Sequence, residues 1–203
     1  MRQESPTKTK LLETALELIW ESSYGSVSVD DICTKAGVNK GSFYYAFKSK
    51  SDLAVAAMEH HGAQKRAIFD QVFSAQRPPL ERLERYCRQV IEDQTEKFHK
   101  YGKVLGCPFC SLGYELSTQD ENIRRKVEQT LGAVTRYLES MVRDLVSEGT
   151  VEAKDPKELA RELYSYLMGA IMQAKIENNL SLLDHLLSGA VRLLNVKQAE
   201  SAA

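Results

Sequence analysis

Apolar residues return at three- and four-residue intervals along nearly the whole chain, and no stretch sustains the every-second-residue alternation of a half-buried strand. That periodicity predicts an all-α fold of about nine helices. The first, about 7–23, sets Leu12, Ala15, Leu16 and Ile19 on one face and ends before Gly25. Ser28 with Asp31 three residues on reads as a capping box that opens a short helix, turning Ile32 and Ala36 inward and stopping at Gly37. Asn39 caps a second short helix, with Val38 against Phe43 as its hydrophobic staple, and Ser49 with Asp52 opens a fourth helix over about 50–75. Beyond the break at Pro78-Pro79 longer helices are expected. They run over about 79–100, from Pro108 to about Ser117, from Asp120 to Gly149, from the Asp155-Pro156-Lys157-Glu158 start signal onward, and last from Ser181 and Asp184.

A length of 203 residues with 43% hydrophobic side chains is enough for one or two packed cores. The longest uncharged apolar run, LYSYLMGAIMQA at 163–174, is too short to span a bilayer, and MRQESPTKTK does not resemble a secretory leader. Four scattered cysteines, Cys33, Cys87, Cys107 and Cys110, do not form a disulfide framework. A cytoplasmic protein with reduced thiols and no membrane partner is therefore expected. The formal charge of -1 is uninformative by itself, but four lysines and no acid lie between Lys35 and Lys50, a local basic patch.

Two short helices joined through Gly37-Val38-Asn39 and followed by lysines and aromatics have the layout of a helix-turn-helix, whose second helix enters the major groove. The stretch SVDDICTKAGVNKGSFYYAFKSKSDL, 28–53, resembles the signature of the TetR family of transcriptional regulators. It carries Ser28, Ile32, Ala36-Gly37-Val38, Gly41-Ser42-Phe43-Tyr44, Phe47 and Lys50 in the signature places, and the match spans about 7–60. The rest of the chain is similar in length and helix order only. The resemblance implies a DNA-binding domain over 1–50, with the helix-turn-helix at about 28–47, and a ligand-binding and dimerisation domain over 51–203. Ile32, Ala36, Val38, Phe43 and Phe47 read as the small core of the first domain. Ser28, Asn39, Lys40, Gly41, Ser42, Tyr44, Tyr45, Lys48 and Lys50 are the DNA-binding candidates, since hydroxyls and ammonium groups are common phosphate ligands and a glycine permits close backbone approach. Asn39 and Ser42 equally suit plain capping.

Reading DNA with one helix-turn-helix calls for a dimer. The last two helices supply the candidates Leu163, Leu167, Gly169, Ala170, Leu183, Leu187, Ala190, Val191 and Leu194, which the resemblance places in an intersubunit four-helix bundle. The alternative is that they close the core of a single chain. The family's middle helices enclose an effector pocket, for which Phe109, Tyr114, Tyr137, Met141, Tyr166 and Met172 are inward-facing candidates; plain core packing is the competing reading. The implied function is a homodimeric repressor on a palindromic DNA operator, released by a small molecule or reactive electrophile.

The motif GCPFC at 106–110 offers a different trigger. Pro108 at the first helical position makes Cys107 an N-cap and sets Cys110 one turn on, where the positive end of a helix favours thiolate. TetR-type members that answer electrophiles or oxidants begin this helix with Gly-Cys and carry Gln-Ala-Lys on the eighth helix. Gln173-Ala174-Lys175 matches, which makes Lys175 a sensor candidate. Two cysteines packing as small hydrophobes remain the alternative. An enzyme is not expected: a thiol oxidoreductase would need a βαβ context, and His60, His61, His99 and His185 form no nucleophile pair or metal-ligand cluster. No cofactor and no metal are expected.

Overall fold

A computed structural model describes residues 5–197. The described residues are helical throughout, with no strand. The order is α1 Pro6–Glu21, α2 Val29–Ala36, α3 Lys40–Ala46, α4 Lys50–Val72, α5 Pro79–Tyr101, α6 Pro108–Leu116, α7 Glu121–Ser147, α8 Pro156–Glu177 and α9 Leu186–Leu193. Local chemistry explains most of these limits. Ser28 accepts from the Asp31 N–H at 3.1 Å while Asp31 accepts from the Ser28 N–H at 2.8 Å, a complete capping box. Asp155 accepts from the N–H groups of Lys157 and Glu158 ahead of α8. Gly37 ends α2 at φ 63°, a left-handed conformation that a side chain would strain.

The last helix differs from expectation. Asn179 caps a 3-10 turn, Leu180–Leu183, and α9 begins only at Leu186, leaving an eight-residue helix. The two polar residues at 181 and 184 belong to that turn instead of opening a long helix.

The described chain forms two compact units. One takes in the chain up to Ala67 together with Cys107–Leu131, the other Ile68–Gly106 together with Gly132 onward. In the first, Leu11, Leu12, Ala15, Leu16 and Ile19 of α1 pack with Ile32, Ala36, Phe43 and Phe47, with Leu53 and Met58 of α4, and with Leu112 and Leu116 of α6. The second is built on Leu83, Tyr86 and Cys87 of α5, Leu138, Met141 and Leu145 of α7, Leu163 and Leu167 of α8, and Leu186 and Ala190 of α9. Arg82, buried in this unit, bonds Asp144 at 2.5 Å, the Arg77 carbonyl at 2.8 Å and the Ala75 carbonyl at 3.3 Å, so the desolvated guanidinium is satisfied.

This packing buries part of the set expected at a dimer surface. Leu163, Leu167, Leu183, Ala190 and Leu194 are at most 1% exposed in the single chain. A side chain with no accessible surface has none left to bury against a partner, so these five build the core. Gly169, Ala170, Leu187 and Val191 keep surface.

Candidate nucleic-acid interface

Helix α3 is only seven residues long, so its neighbours must hold it. Asn39 accepts from the Ser42 N–H at 2.8 Å, and Phe43 is fully buried, edge-on to Tyr44 at 5.0 Å and tilted against Phe47 at 6.1 Å. With Phe43 as the inward anchor, Asn39, Lys40, Gly41, Tyr44, Tyr45 and Lys48 are left exposed and Ser42 half-buried. Tyr45 is 95% and Tyr44 58% exposed, an unusual display for large aromatics on a core-facing scaffold. Gly41 has a second local reason to be glycine, because a Cβ there would meet Asn39 Oδ1 at 3.2 Å and crowd the cap.

The charged candidates divide. Lys48 is exposed. Lys40 rests on Asp30 at 2.7 Å, and that hydrogen bond raises its pKa above the ordinary lysine value. Both partners are solvent-exposed, so the pair is easily exchanged for a phosphate. Lys50 is engaged inward: its Nζ donates to the carbonyls of Tyr24 and Val27 at 2.8 Å each and lies 3.9 Å over the Tyr24 ring, with partial burial pulling its pKa down. Lys50 thus supports the α1–α2 turn. Ser28 is exposed at the N-terminus of α2, but the Asp31 carboxylate already occupies that position, and bonds from Ser28 hold its pKa low. One further cation escaped the sequence reading. Lys10 of α1 places its Nζ 3.5 Å from where a Gly37 Cβ would sit, beside the α2–α3 turn.

Helix α6 starts as expected, with Cys107 as N-cap and Pro108 at the first position, and the Cys107 side chain makes no capping bond. Cys110 is hydrogen-bonded to Cys107. That bond, then burial, then the neighbouring sulfur push the Cys110 thiol far above the usual cysteine value. The Phe109 ring meets His61 edge-on at 5.7 Å, and His61 meets Trp20 at 6.2 Å. Tyr114, expected inward, is 71% exposed because α6 turns Pro108, Leu112 and Leu116 to the core instead.

In the second unit, Tyr137 stacks on Phe69 and Phe73 at 5.6 and 5.3 Å and donates its hydroxyl to Asp70. Met141 is fully buried core, and Tyr166 donates to the His185 carbonyl at 3.2 Å. Met172, also expected inward, is 41% exposed beside Ile176 at 73%, one turn apart on α8. The Lys175 stem lies over Gly106, where a Cβ would fall 3.0 Å from Lys175 Cδ. Gln94 holds the same glycine from α5, accepting from its N–H at 2.8 Å and donating to its carbonyl at 3.2 Å. No helix among the described residues is long and apolar enough to cross a membrane.

Two family descriptions match the chain: "Bacterial regulatory proteins, tetR family" over residues 11–57 and "Tetracyclin repressor-like, C-terminal domain" over 79–190. The transcriptional regulator AcuR of Cereibacter sphaeroides is 31% identical over 169 residues, covering 82% of this chain and 75% of that protein. The transcriptional repressor NemR of Escherichia coli is 25% identical over 187 residues, covering 91% and 92%. A regulatory protein TetR from Rhodobacter sphaeroides superposes with a TM-score of 0.82 at 29% identity, over 93% of this chain and 99% of that one. The reduced form of E. coli NemR has the same fold, with a TM-score of 0.82 over 96% and 100% at 24% identity. With the exposed, capped α3 inside the first matched region and α5 to α8 inside the second, the chain belongs to the TetR family of DNA-binding transcriptional regulators.

Proposed function

We propose that the protein is a homodimeric repressor that reads a palindromic operator with α3 and lets it go when an effector acts on the 51–203 region. The observation that carries the reading is the face of α3, where Tyr44 and Tyr45 stand bare between Lys40 and Lys48 on a helix anchored by the buried Phe43. Phenolic hydroxyls and ammonium groups position a protein on phosphates, and a tyrosine ring can also reach a base edge or thymine methyl. Residues 1–50 carry the DNA contacts in this reading and 51–203 the effector response and dimerisation. The dimer face includes Gly169, Ala170, Met172, Ile176, Leu187 and Val191, which keep apolar surface on α8 and α9. A two-fold dimer presents two α3 helices to half-sites about 34 Å apart, and release follows when the effector binds a dimer state with a different separation more tightly. In a gel-shift titration with promoter fragments from the source genome, Tyr45→Ala should weaken binding at least tenfold with the unfolding midpoint unchanged. Equal affinity would refute the assignment of α3.

A second reading of the effector is favoured by the hydrogen-bonded pair Cys107 and Cys110. An electrophile would add to the Cys107 sulfur, the thiol proton leaving to solvent. With hypochlorite the two thiols would give up two electrons and two protons to form a disulfide, yielding chloride and water. Under this reading Cys107→Ser stays on the operator when hypochlorite or N-ethylmaleimide releases the wild type; release of both alike would leave only reversible ligand binding.

A further inference from the structure

The short turn between α1 and α2, residues 22–28, is gripped by two opposite charges. From one side Glu115, in the last turn of α6, accepts from two consecutive backbone N–H groups, Tyr24 at 2.9 Å and Gly25 at 2.6 Å. From the other, Lys50 donates to the carbonyls of Tyr24 and Val27. Carboxylate on the donors and ammonium on the acceptors satisfy a turn that no regular element would otherwise complete. Gly25 fits the same design: a Cβ there would stand 3.0 Å from Glu115 Oε1, so only glycine lets the carboxylate close on both amides.

The grip matters because the turn leads directly into the reading head. Val27 is buried in the core, and Ser28 is the cap of α2. The Val38 N–H bonds back to the Cys33 carbonyl at 2.9 Å, and Ile32, Ala36 and Phe43 share one core, which ties α3 to α2. A displaced turn would therefore be felt at the start of α2 and, through it, at α3. Helix α6 is itself keyed in place, with Leu112 and Leu116 buried and Gly113 against Val127, where a Cβ would fall 3.0 Å away. Its other end begins with Cys107, eight residues and about 12 Å of helix from Glu115.

We propose that Glu115 is the positioning residue by which α6 sets the α1–α2 turn, and with it the operator-binding placement of α2 and α3. The part of the proposal in which α6 receives its signal at Cys107 rests on the thiol reading above. Glu115 touches no DNA; it acts through two backbone amides, and a shift or rotation of α6 removes both bonds together.

The test uses the full-length protein and a bound promoter fragment. Glu115→Gln, which sets an amide against two donors, and Glu115→Ala should each weaken operator affinity about tenfold or more. They should leave the slope of affinity against salt unchanged, whereas loss of a phosphate contact lowers that slope by about one. Amide exchange over 22–36 should quicken in both variants. Gly25→Ala should reproduce the effect, and Gly25→Ala with Glu115→Ala should be no worse than either alone, since both remove the same contact. Affinity within twofold of wild type for Glu115→Ala, or a reduced salt slope, would overturn the proposal. The second arm adds N-ethylmaleimide. If wild type is released while Cys107→Ser is not, the release factor should collapse toward one in Glu115→Ala, and an undiminished factor would overturn the coupling. If the reagent releases nothing while Glu115→Ala still binds weakly, the thiol reading falls and the positioning role stands.

Discussion

Gly189 in α9 gives a prediction whose sign depends on one neighbour. A Cβ at this position would lie 1.8 Å from Tyr166 Oη and 2.5 Å from its Cζ. In Gly189→Ala the phenol must retreat by roughly 1.7 Å to regain an ordinary contact of about 3.5 Å. That motion breaks the bond from Tyr166 to the His185 carbonyl and lifts part of the ring off the α8–α9 packing. A lost hydrogen bond costs about 1 kcal/mol and overpacking of this kind typically about 1–3 kcal/mol in all. Tyr166 is only half-buried, so it can swing outward and the effect should stay in that range. In a Tyr166→Ala background the obstruction is gone. The same change then replaces glycine by alanine inside a helix and should stabilise by about 0.5–1 kcal/mol. The two backgrounds thus differ by about 1.5–4 kcal/mol, with opposite signs. For a chain of 203 residues each kcal/mol moves the melting temperature by about 2–4 °C. Thermal melts of the four proteins, at one fixed concentration because dimerisation would add its own dependence, measure this directly. Equal destabilisation in both backgrounds would show that Tyr166 is not what requires glycine here.

Three further outcomes rest on single groups. Lys50→Met should lower the unfolding midpoint, by removing two turn contacts, and leave the salt slope of operator binding unchanged, whereas Lys48→Ala should lower that slope by about one. Asp144→Ala strips the carboxylate from buried Arg82 and should cost about 1–3 kcal/mol in urea unfolding; Arg82→Met in the same chain should recover much of it, since no buried charge is then left unpaired. Burial pushes the Cys87 thiol up from 9.0 to about 12. Its folded-state preference for the neutral thiol is full below about pH 9 and fades as pH rises toward 12, so wild type should lose stability above pH 9 more steeply than Cys87→Val. Cys87 should also resist alkylation in the folded protein at pH 8.

The helix boundaries legible in the sequence are those set by neighbours a few residues apart. The capping box of Ser28 and Asp31, the Asn39 cap, the proline start of α8 and the left-handed Gly37 are all closed by atoms within about one turn. The α3 face was legible for the same reason: once Phe43 is the anchor, helical geometry alone puts Lys40, Tyr44 and Tyr45 away from the core. Where the sequence misled, the deciding partner was remote. Lys50 looked like a free cation because nothing near it in sequence reveals that the carbonyls of residues 24 and 27 surround it. Tyr114 and Met172 have the spacing of core residues, yet a helix buries only the face its neighbours cover, and α6 and α8 turn other residues inward.

Apolar periodicity and local capping therefore determined by themselves that this chain is helical, roughly where each helix runs, and that a short, polar, aromatic-rich helix keeps one face exposed. These depend on backbone hydrogen bonds and side chains that are covalently close, so they survive without knowledge of the fold. Tertiary structure alone decided which apolar residues are exhausted in the core and which keep surface. It also brought Glu115 to the amides of Tyr24 and Gly25, ninety-one and ninety residues away along the chain. Such a contact exists only after packing has closed the intervening chain, and a single glutamate near the end of a short helix carries no local sign of it.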